Sequence, residues 1–270
     1  MVDWFLSLTP VAQAALAGTF TWFVTGAGAA LVVPFQEEHP RLMNVMLGFT
    51  AGVMLAASYF SLLAPAIDMA AQAGRTAWVP ACGGFLLGAA FVWAADKLLP
   101  HVHPQHPETP TEGVTTDWRR STLMLVAMTI HNIPEGLAVG VAFGATGLST
   151  GDATIAGAVA LTLGIGLQNF PEGAAVSFPL RRAGMSRGRA FFWGQASAFV
   201  ELVAAVFGAL VVTIVAPALP WALAFAAGAM IFVVLEEVVP EAHRDLNSDD
   251  AAIGAMLGFA VMMALDVGLG

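Results

Sequence analysis

The chain has 270 residues, of which 58% are hydrophobic and only 11% charged, and its mean hydropathy is +0.77. This composition excludes an ordinary soluble domain and indicates an integral protein of the lipid bilayer. The formal net charge of −9, without a concentrated basic surface, argues against nucleic acid as a partner.

Eight segments are long and apolar enough to be membrane-spanning helices, because a helix needs roughly 20 residues to cross the hydrocarbon core. They cover approximately residues 10–33, 43–70, 78–97, 121–146, 152–180, 188–216, 219–240 and 251–269. The predicted fold class is therefore an all-α integral membrane protein with eight transmembrane helices. Residues 1–270 are treated as a single transmembrane domain, since no segment has the composition of a soluble module.

Nine of the ten basic residues fall on one side of this arrangement. They are Arg41, Lys97, Arg119, Arg120, Arg181, Arg182, Arg187, Arg189 and Arg244, whereas Arg75 falls on the other side. The positive-inside rule then predicts that the loops around 34–42, 97–120, 181–187 and 241–250 are cytoplasmic and that both termini are outside. Nine arginines against one lysine are typical of a GC-rich bacterial genome, so we expect the inner (plasma) membrane of a bacterium.

The second predicted span carries a stripe of residues on one helical face. Its members, Met54, Ser58, Ser61, Pro65 and Asp68, follow one another at steps of four, three, four and three. Its polar members are candidates for an ion pathway, with Asp68 near the outer end. Met54 lies at the depth of the motif described below and offers a soft thioether ligand, although packing in the core explains this methionine equally well.

Residues 98–120 form the longest polar interruption, and their prolines predict a flexible cytoplasmic loop. The loop contains His101 and His103, which either capture metal transiently or are ordinary exposed histidines. Asp96 lies at the end of the third span, shortly before them. These three residues are candidates for a relay at the cytoplasmic end of a pathway.

A six-residue motif occurs twice. Residues 131–136 are His-Asn-Ile-Pro-Glu-Gly, and residues 168–173, 37 residues later, are Gln-Asn-Phe-Pro-Glu-Gly. On a helix, residues four apart share a face, so His131 and Glu135 project together, and the second copy repeats this geometry. The prolines are expected to kink both helices, and the glycines to let neighbouring helices approach closely.

The two copies together offer a set of metal ligands. The set is His131, Asn132, Glu135, Gln168, Asn169 and Glu172. Imidazole favours zinc, iron and other transition ions, while carboxylate and amide oxygens accept harder ions, so the set predicts a divalent metal without selecting one. Both copies fall near the membrane midplane in helices of opposite direction, as the halves of an inverted repeat do.

The motif carboxylates have no fixed cationic partner, because no Lys or Arg lies in the middle of any predicted span. Glu135, Glu172 and Glu201 must therefore be protonated, bind water or bind a cation, and we expect protons to compete with metal. The alternative is a pair of kinked helices whose polar residues bond only to each other. Ionisable residues inside a membrane favour a functional site over that alternative.

Further polar residues extend the predicted pathway. Glu201 in the sixth span is an expected accessory metal ligand, and Glu236, Glu237 and His243 near the end of the seventh are candidates for an exit relay. The series from Asp68 through the motif to Glu237 crosses the membrane, which a static structural metal does not require. The pattern therefore predicts transport.

These residues resemble the ZIP (Zrt/Irt-like protein) family of divalent-metal transporters, in particular its bacterial GufA-like branch. The resemblance covers nearly the whole chain and is carried by the two motif copies, residues 47–57, Glu201 and residues 236–244. It implies a 3+2+3 inverted-repeat arrangement, in which the first three and last three helices surround helices four and five.

The resemblance also implies a transport site between helices four and five, which is often binuclear. By matching position, His131, Glu135, Gln168 and Glu172 hold the first metal with Met54 nearby, and Asn132, Glu135, Asn169, Glu172 and Glu201 surround the second. Asn169 stands where a close binuclear relative carries Asp, so the second position is expected to be weaker. Family members move zinc, iron, manganese or cadmium into the cytoplasm; zinc is the expected substrate, without an organic cofactor.

Two other function classes stay open at this point. An intramembrane metalloenzyme needs a distinguishable water-activating base, and the chain lacks a His-Glu-x-x-His sequence, so we predict that it is not an enzyme. A metal sensor without flux is compatible with the histidines of the 98–120 loop. Gly83, Gly84 and Gly88 favour close helix packing, either within one chain or in a homodimer.

Overall fold

The structure is a computed structural model that describes residues 2–35, 37, 39–99, 120–147, 154–243 and 249–269. Every regular element in these residues is helical. The predicted flexibility of the 98–120 loop, together with His101 and His103, lies outside the described residues.

Eight long helices follow a short N-terminal helix, Val2–Leu6. They are α1 (Pro10–Val32), α2 (Pro40–Gln72), α3 (Trp78–Leu98), α4 (Arg120–Thr146), α5 (Ile155–Arg182), α6 (Arg187–Ile214), α7 (Leu219–Ala242) and α8 (Asp250–Leu269). Their bounds lie close to those of the eight predicted spans, which confirms the all-α fold class.

Seven of these helices are long and apolar enough to cross a membrane. The exception is α5, whose 28 residues are long enough but include Gln168, Asn169 and Glu172. These polar residues lower its hydropathy. The protein is therefore a multi-pass membrane protein, and the count of eight spans stays a prediction that depends on α5.

The helix starts follow from capping residues in the sequence. Thr9, Thr154 and Ser186 accept hydrogen bonds from backbone N–H groups in the first turns of α1, α5 and α6, respectively. Such caps satisfy donors that have no partner within the helix. Pro10 and Pro40 occupy first-turn positions of α1 and α2, where the missing N–H costs nothing.

Three helices depart from regular α geometry in ways that the residue spacing did not predict. Helix α2 contains a π-helical segment, Ser58–Leu63, and α7 contains another, Val234–Val238. Helix α6 is interrupted at Ala198, three residues before Glu201. Helices α4 and α5 remain helical through Pro134 and Pro171, and the kinks expected there stay predictions.

The contacts between helices follow an approximate two-fold pattern. Helix α1 packs on α5 as α6 packs on α4, and α2 packs on α8 as α7 packs on α3. Exchanging helices one to three with six to eight, and four with five, reproduces these pairs, and it also exchanges the two π-helical segments. An inverted repeat around a central α4–α5 pair has this property.

Candidate metal centre

The two motif copies bring an imidazole and two carboxylates together at the contact between α4 and α5. His131 Nε2 lies 3.7 Å from Glu135 Oε1 and 3.5 Å from Glu172 Oε1. These residues each offer one ligand atom within 4.8 Å of the others. All three side chains are buried.

The distances from His131 Nε2 to the two carboxylate oxygens are closer to those between two ligands of one metal ion than to the length of a direct hydrogen bond. Strong N–H···O contacts are about 2.7–3.2 Å long. With metal–ligand bonds of about 2.0–2.2 Å, two ligands at a tetrahedral angle are about 3.4 Å apart. The side chains are thus spaced so that a zinc-sized cation fits between them.

The electrostatics of the cluster also favour a cation. Neither carboxylate oxygen of Glu172 accepts a hydrogen bond from the residues that the structure describes, and the same holds for Glu135 Oε2 and Gln168 Oε1. No Lys or Arg occurs between residues 121 and 180. Buried oxygen atoms of this kind cost free energy unless a proton, water or cation satisfies them.

A chain of hydrogen bonds extends the cluster toward α6. Gln168 Nε2 donates to Glu135 Oε1 at 2.7 Å and to Asn169 Oδ1 at 2.9 Å. Asn169 Nδ2 in turn donates to Glu201 Oε2 at 2.7 Å and to the Thr21 carbonyl at 3.3 Å. The two amides therefore link the carboxylates of Glu135 and Glu201.

The motif glycines set how closely the surrounding helices approach this cluster. A Cβ on Gly136 would overlap the backbone carbonyl of Glu201, and one on Gly173 would overlap that of Thr25. Helix α6 thus contacts the first motif copy as α1 contacts the second. This close approach, which the sequence predicted for both glycines, delivers Glu201 to the site.

Glu237 on α7 lies on the other side of the His131 ring. Its Oε2 atom is 3.4 Å from His131 Nδ1. Glu237 also lines a small cavity of about 40 Å³, together with His131, Glu172 and Glu241. The predicted exit residue Glu237 is therefore a neighbour of the candidate metal ligands His131 and Glu172.

A second cavity, of about 160 Å³, lies toward the opposite ends of α2 and α8. Ser61 lines it and donates a hydrogen bond of 2.6 Å to Asp266 Oδ1. Pro65 of the predicted stripe also lines this cavity, together with Met69, whereas Asp68 is exposed and does not line it.

The remaining predicted residues lie at various distances from the cluster. Met54 and Asn132 are fully or almost fully buried, and Met54 belongs to the main hydrophobic core. Ser58 donates to the Met54 carbonyl of its own helix. Asp96 and His243 lie near helix ends. Asp96 is buried, with Oδ2 3.5 Å from Lys97 Nζ, and His243 is exposed and contacts the Val239 carbonyl. Glu236 is partly buried on α7.

Comparison with known proteins identifies the family of the chain. A family model described as ZIP zinc transporter matches residues 116–266, which include both motif copies, Glu201 and Glu237. The chain belongs to the ZIP family. The resemblance inferred from the sequence is confirmed, and ZIP proteins are transporters rather than enzymes, as predicted.

Three ZIP relatives cover nearly all of the chain. Zinc transporter ZIP11 from Bos taurus is 44% identical over 97% of this chain and 98% of its own length. Zinc transporter ZIPB from Bordetella bronchiseptica is 40% identical, over 96% of this chain and 82% of its own. Zinc transporter GufA from Myxococcus xanthus is 38% identical, over 94% and 96%, respectively.

Three polar residues near the ZIP motif or the cavities were missed as site candidates in the sequence. Thr50 donates to the Gln168 carbonyl at 3.1 Å, Asp266 bonds Ser61, and Glu241 lines the cavity of Glu237. Thr50 lies four residues before Met54, so extending the predicted stripe by one turn would have identified it. Glu241 likewise lies four residues after the predicted exit residue Glu237, whereas Asp266 had no such signal because its role depends on a contact between distant helices.

Proposed function

We propose that the chain carries zinc, and with it other divalent transition-metal ions such as iron, manganese or cadmium, across the membrane into the cytoplasm. The observation that carries the proposal is the buried cluster of His131, Glu135 and Glu172, whose ligand atoms have a spacing suited to zinc. The names of the ZIP relatives support zinc as the substrate.

Cavities on either side of the cluster support movement of the ion over a fixed structural role. The cavity beside Glu237 and Glu241 approaches the cluster from one end of the helices, and the cavity of Ser61 and Asp266 lies toward the other. Acidic side chains along both approaches attract cations. A metal that only stabilised the fold would need neither approach.

The first metal position is formed in this proposal by His131, Glu135, Gln168 and Glu172. The second position, beside Asn169 and Glu201, is weaker, because an amide stands where a further carboxylate would add negative charge. The family resemblance adds Met54 near the first position and Asn132 to the second position.

Flux into proteoliposomes tests the proposal. Zinc added outside vesicles that contain the purified full-length protein should enter and be reported by an internal zinc-sensitive dye. Glu172→Gln should reduce this uptake to the background of empty vesicles, because the variant keeps the side-chain size but loses a charged ligand. Asp3→Asn is the matched control, since Asp3 is an exposed carboxylate of the short N-terminal helix, outside the metal cluster and the predicted pathway.

Two results would contradict the proposal. Uptake by Glu172→Gln equal to that of the original protein would exclude the cluster as the transport site. Zinc binding without any dye signal in the original protein would favour the sensor alternative.

A further inference from the structure

A cavity of about 520 Å³ lies apart from the metal centre, between the end of α3, the first half of α4 and the first half of α6. None of the three clustered ligands lines it. It is located at the end of the bundle where Arg181, Arg182 and Arg187 lie, which is the predicted cytoplasmic end. The transport proposal assigns no role to this cavity.

The polarity of the cavity wall changes along α4. Ser121 and Thr122 lie at the mouth, in the first turn of the helix, and Val126, Ile130 and Ile133 line the deeper part. Ile133 is 12 residues after Ser121, which corresponds to about 18 Å along a helix. This length exceeds half of the hydrocarbon core, which is about 15 Å.

Helix α6 contributes the one charged side chain among the lining residues, Arg189. Trp193 follows four residues later on the same helical face, and both side chains are exposed. No carboxylate among the described residues forms an ion pair with Arg189. A tryptophan beside a basic residue is typical of the interface between lipid headgroups and acyl chains.

We propose that this cavity binds an anionic phospholipid, with the phosphate at Arg189 and one acyl chain along the apolar wall of α4. The guanidinium group supplies paired N–H donors to phosphate oxygens, and the hydroxyls of Ser121 and Thr122 supply further donors at the same level. The deeper wall is mainly apolar, with Val126 and Ile130, and the hydroxyls of Thr129 and Ser197 that also line the cavity already donate to carbonyls of their own helices, so this part suits a hydrocarbon chain.

The acyl chain of the bound lipid contacts the face of α4 beside the first motif copy. Ile130 and Ile133 flank His131 and precede Pro134 in the motif, so the end of the acyl chain packs against the helical turn that carries the metal ligand. A small soluble anion would fill only the mouth at Arg189. The combination of a polar mouth and an apolar deeper wall therefore favours a lipid over free phosphate.

Native mass spectrometry of the full-length protein in detergent tests the proposal. Phosphatidylglycerol and phosphatidylcholine of identical acyl chains are added separately, and inorganic phosphate is added in a third sample. We expect phosphatidylglycerol to be retained in preference to phosphatidylcholine. Arg189→Gln should lower this retention about fivefold, the ratio that corresponds to roughly 1 kcal/mol for one arginine near an anionic membrane surface.

Two further variants complete the test. Arg41→Gln removes the same charge from an exposed position of α2 outside the cavity and should leave retention unchanged. Ala196→Trp fills the deeper part of the cavity and keeps Arg189. This variant should also lower the retention of phosphatidylglycerol. Arg189→Lys should restore part of the preference for phosphatidylglycerol.

Several outcomes overturn the proposal. Equal retention by Arg189→Gln and the original protein would exclude the cavity, and an equal loss in Arg41→Gln would assign lipid binding to general surface charge. Phosphate bound as well as the lipid would indicate a simple anion site. A dimer that forms without lipid and is lost in both Arg189→Gln and Ala196→Trp would assign the cavity to a second copy of the chain.

Discussion

His131 is held between carboxylates on both of its ring nitrogens. Nε2 faces Glu135 and Glu172, whereas Nδ1 faces Glu237 at 3.4 Å. A carboxylate behind a metal-binding imidazole fixes its tautomer and orientation and raises its basicity as a ligand. We therefore expect Glu237 to contribute to zinc affinity without binding the ion directly.

Replacing Glu237 by Gln should weaken zinc binding roughly 10- to 100-fold, the usual cost of losing such a partner of a metal-binding histidine. Equilibrium zinc titration of the purified protein measures the affinity. Glu236→Gln serves as the control, because Glu236 precedes it on α7 but does not line the cavity beside His131. Equal affinities in the two variants would contradict the role assigned to Glu237.

We expect Asn169 to limit the number of ions that the proposed centre holds. Its amide donates to Glu201 Oε2 at 2.7 Å, so an aspartate there would place two carboxylates in contact. Such a pair needs a proton or a cation between the oxygens, and zinc competes with the proton for this position. Asn169→Asp should raise the bound zinc from one ion to two per chain, measured by elemental analysis after dialysis at limiting free zinc.

The double variant Asn169→Asp/Glu201→Gln is the control for this prediction. It restores the original number of carboxylates at the second position and should return the protein to one ion. A single ion in Asn169→Asp itself would argue against a second position beside Glu201.

At the scale of helices, the pairs that surround α4 and α5 are held by close backbone contact. Helix α1 illustrates this with two glycines two residues apart. A Cβ on Gly28 would overlap the carbonyl of motif residue Phe170, whereas a Cβ on Gly26 would meet Gln195 Cβ at 3.6 Å, an ordinary contact. Substituting each glycine in turn therefore distinguishes the need for close contact between α1 and α5, at Gly28, from the general effect of losing a glycine, at Gly26.

Gly28→Ala should destabilise the protein by about 1–3 kcal/mol, because the extra methyl group forces α1 away from α5. Gly26→Ala should be neutral or slightly stabilising, since alanine favours the helix. Thermal unfolding of both variants in the same detergent provides the comparison. A melting temperature that falls equally in both would indicate a general need for glycine in α1.

The element boundaries were largely predictable from sequence, because apolar runs and capping residues are local signals. The motif ligands His131, Glu135 and Glu172 were predictable for a related reason, since their spacing repeats in two helices. The π-helical segments of α2 and α7 were not, because one additional residue per turn leaves no mark in the hydrophobic pattern.

For the whole molecule, orientation in the membrane follows from the basic residues alone. The predicted topology has the loop after α2, around Thr76, outside and the loop before α6, around Ser186, inside. The paired contacts of an inverted repeat are equally compatible with either orientation in the membrane. The side on which each loop lies is therefore measured directly.

Single cysteines at these loops test the orientation. In a Cys82→Ser background, Thr76→Cys should react with a membrane-impermeant maleimide in intact bacterial spheroplasts, and Ser186→Cys should react only after lysis. Cys82 must be removed because it is exposed. The reverse labelling pattern would invert the topology and the proposed direction of uptake.

The sizes of the cavities bear on which ions the protein accepts. The cavity beside His131 and Glu237 has a volume of about 40 Å³, which holds no more than a few water molecules. An ion that reaches the ligands must therefore surrender most of its hydration shell and exchange it for imidazole and carboxylate. Magnesium gives up its water reluctantly and keeps several molecules bound, whereas zinc accepts four protein ligands readily. We therefore expect the centre to take up zinc in preference to magnesium because of the difference in dehydration, since the two ions carry the same charge.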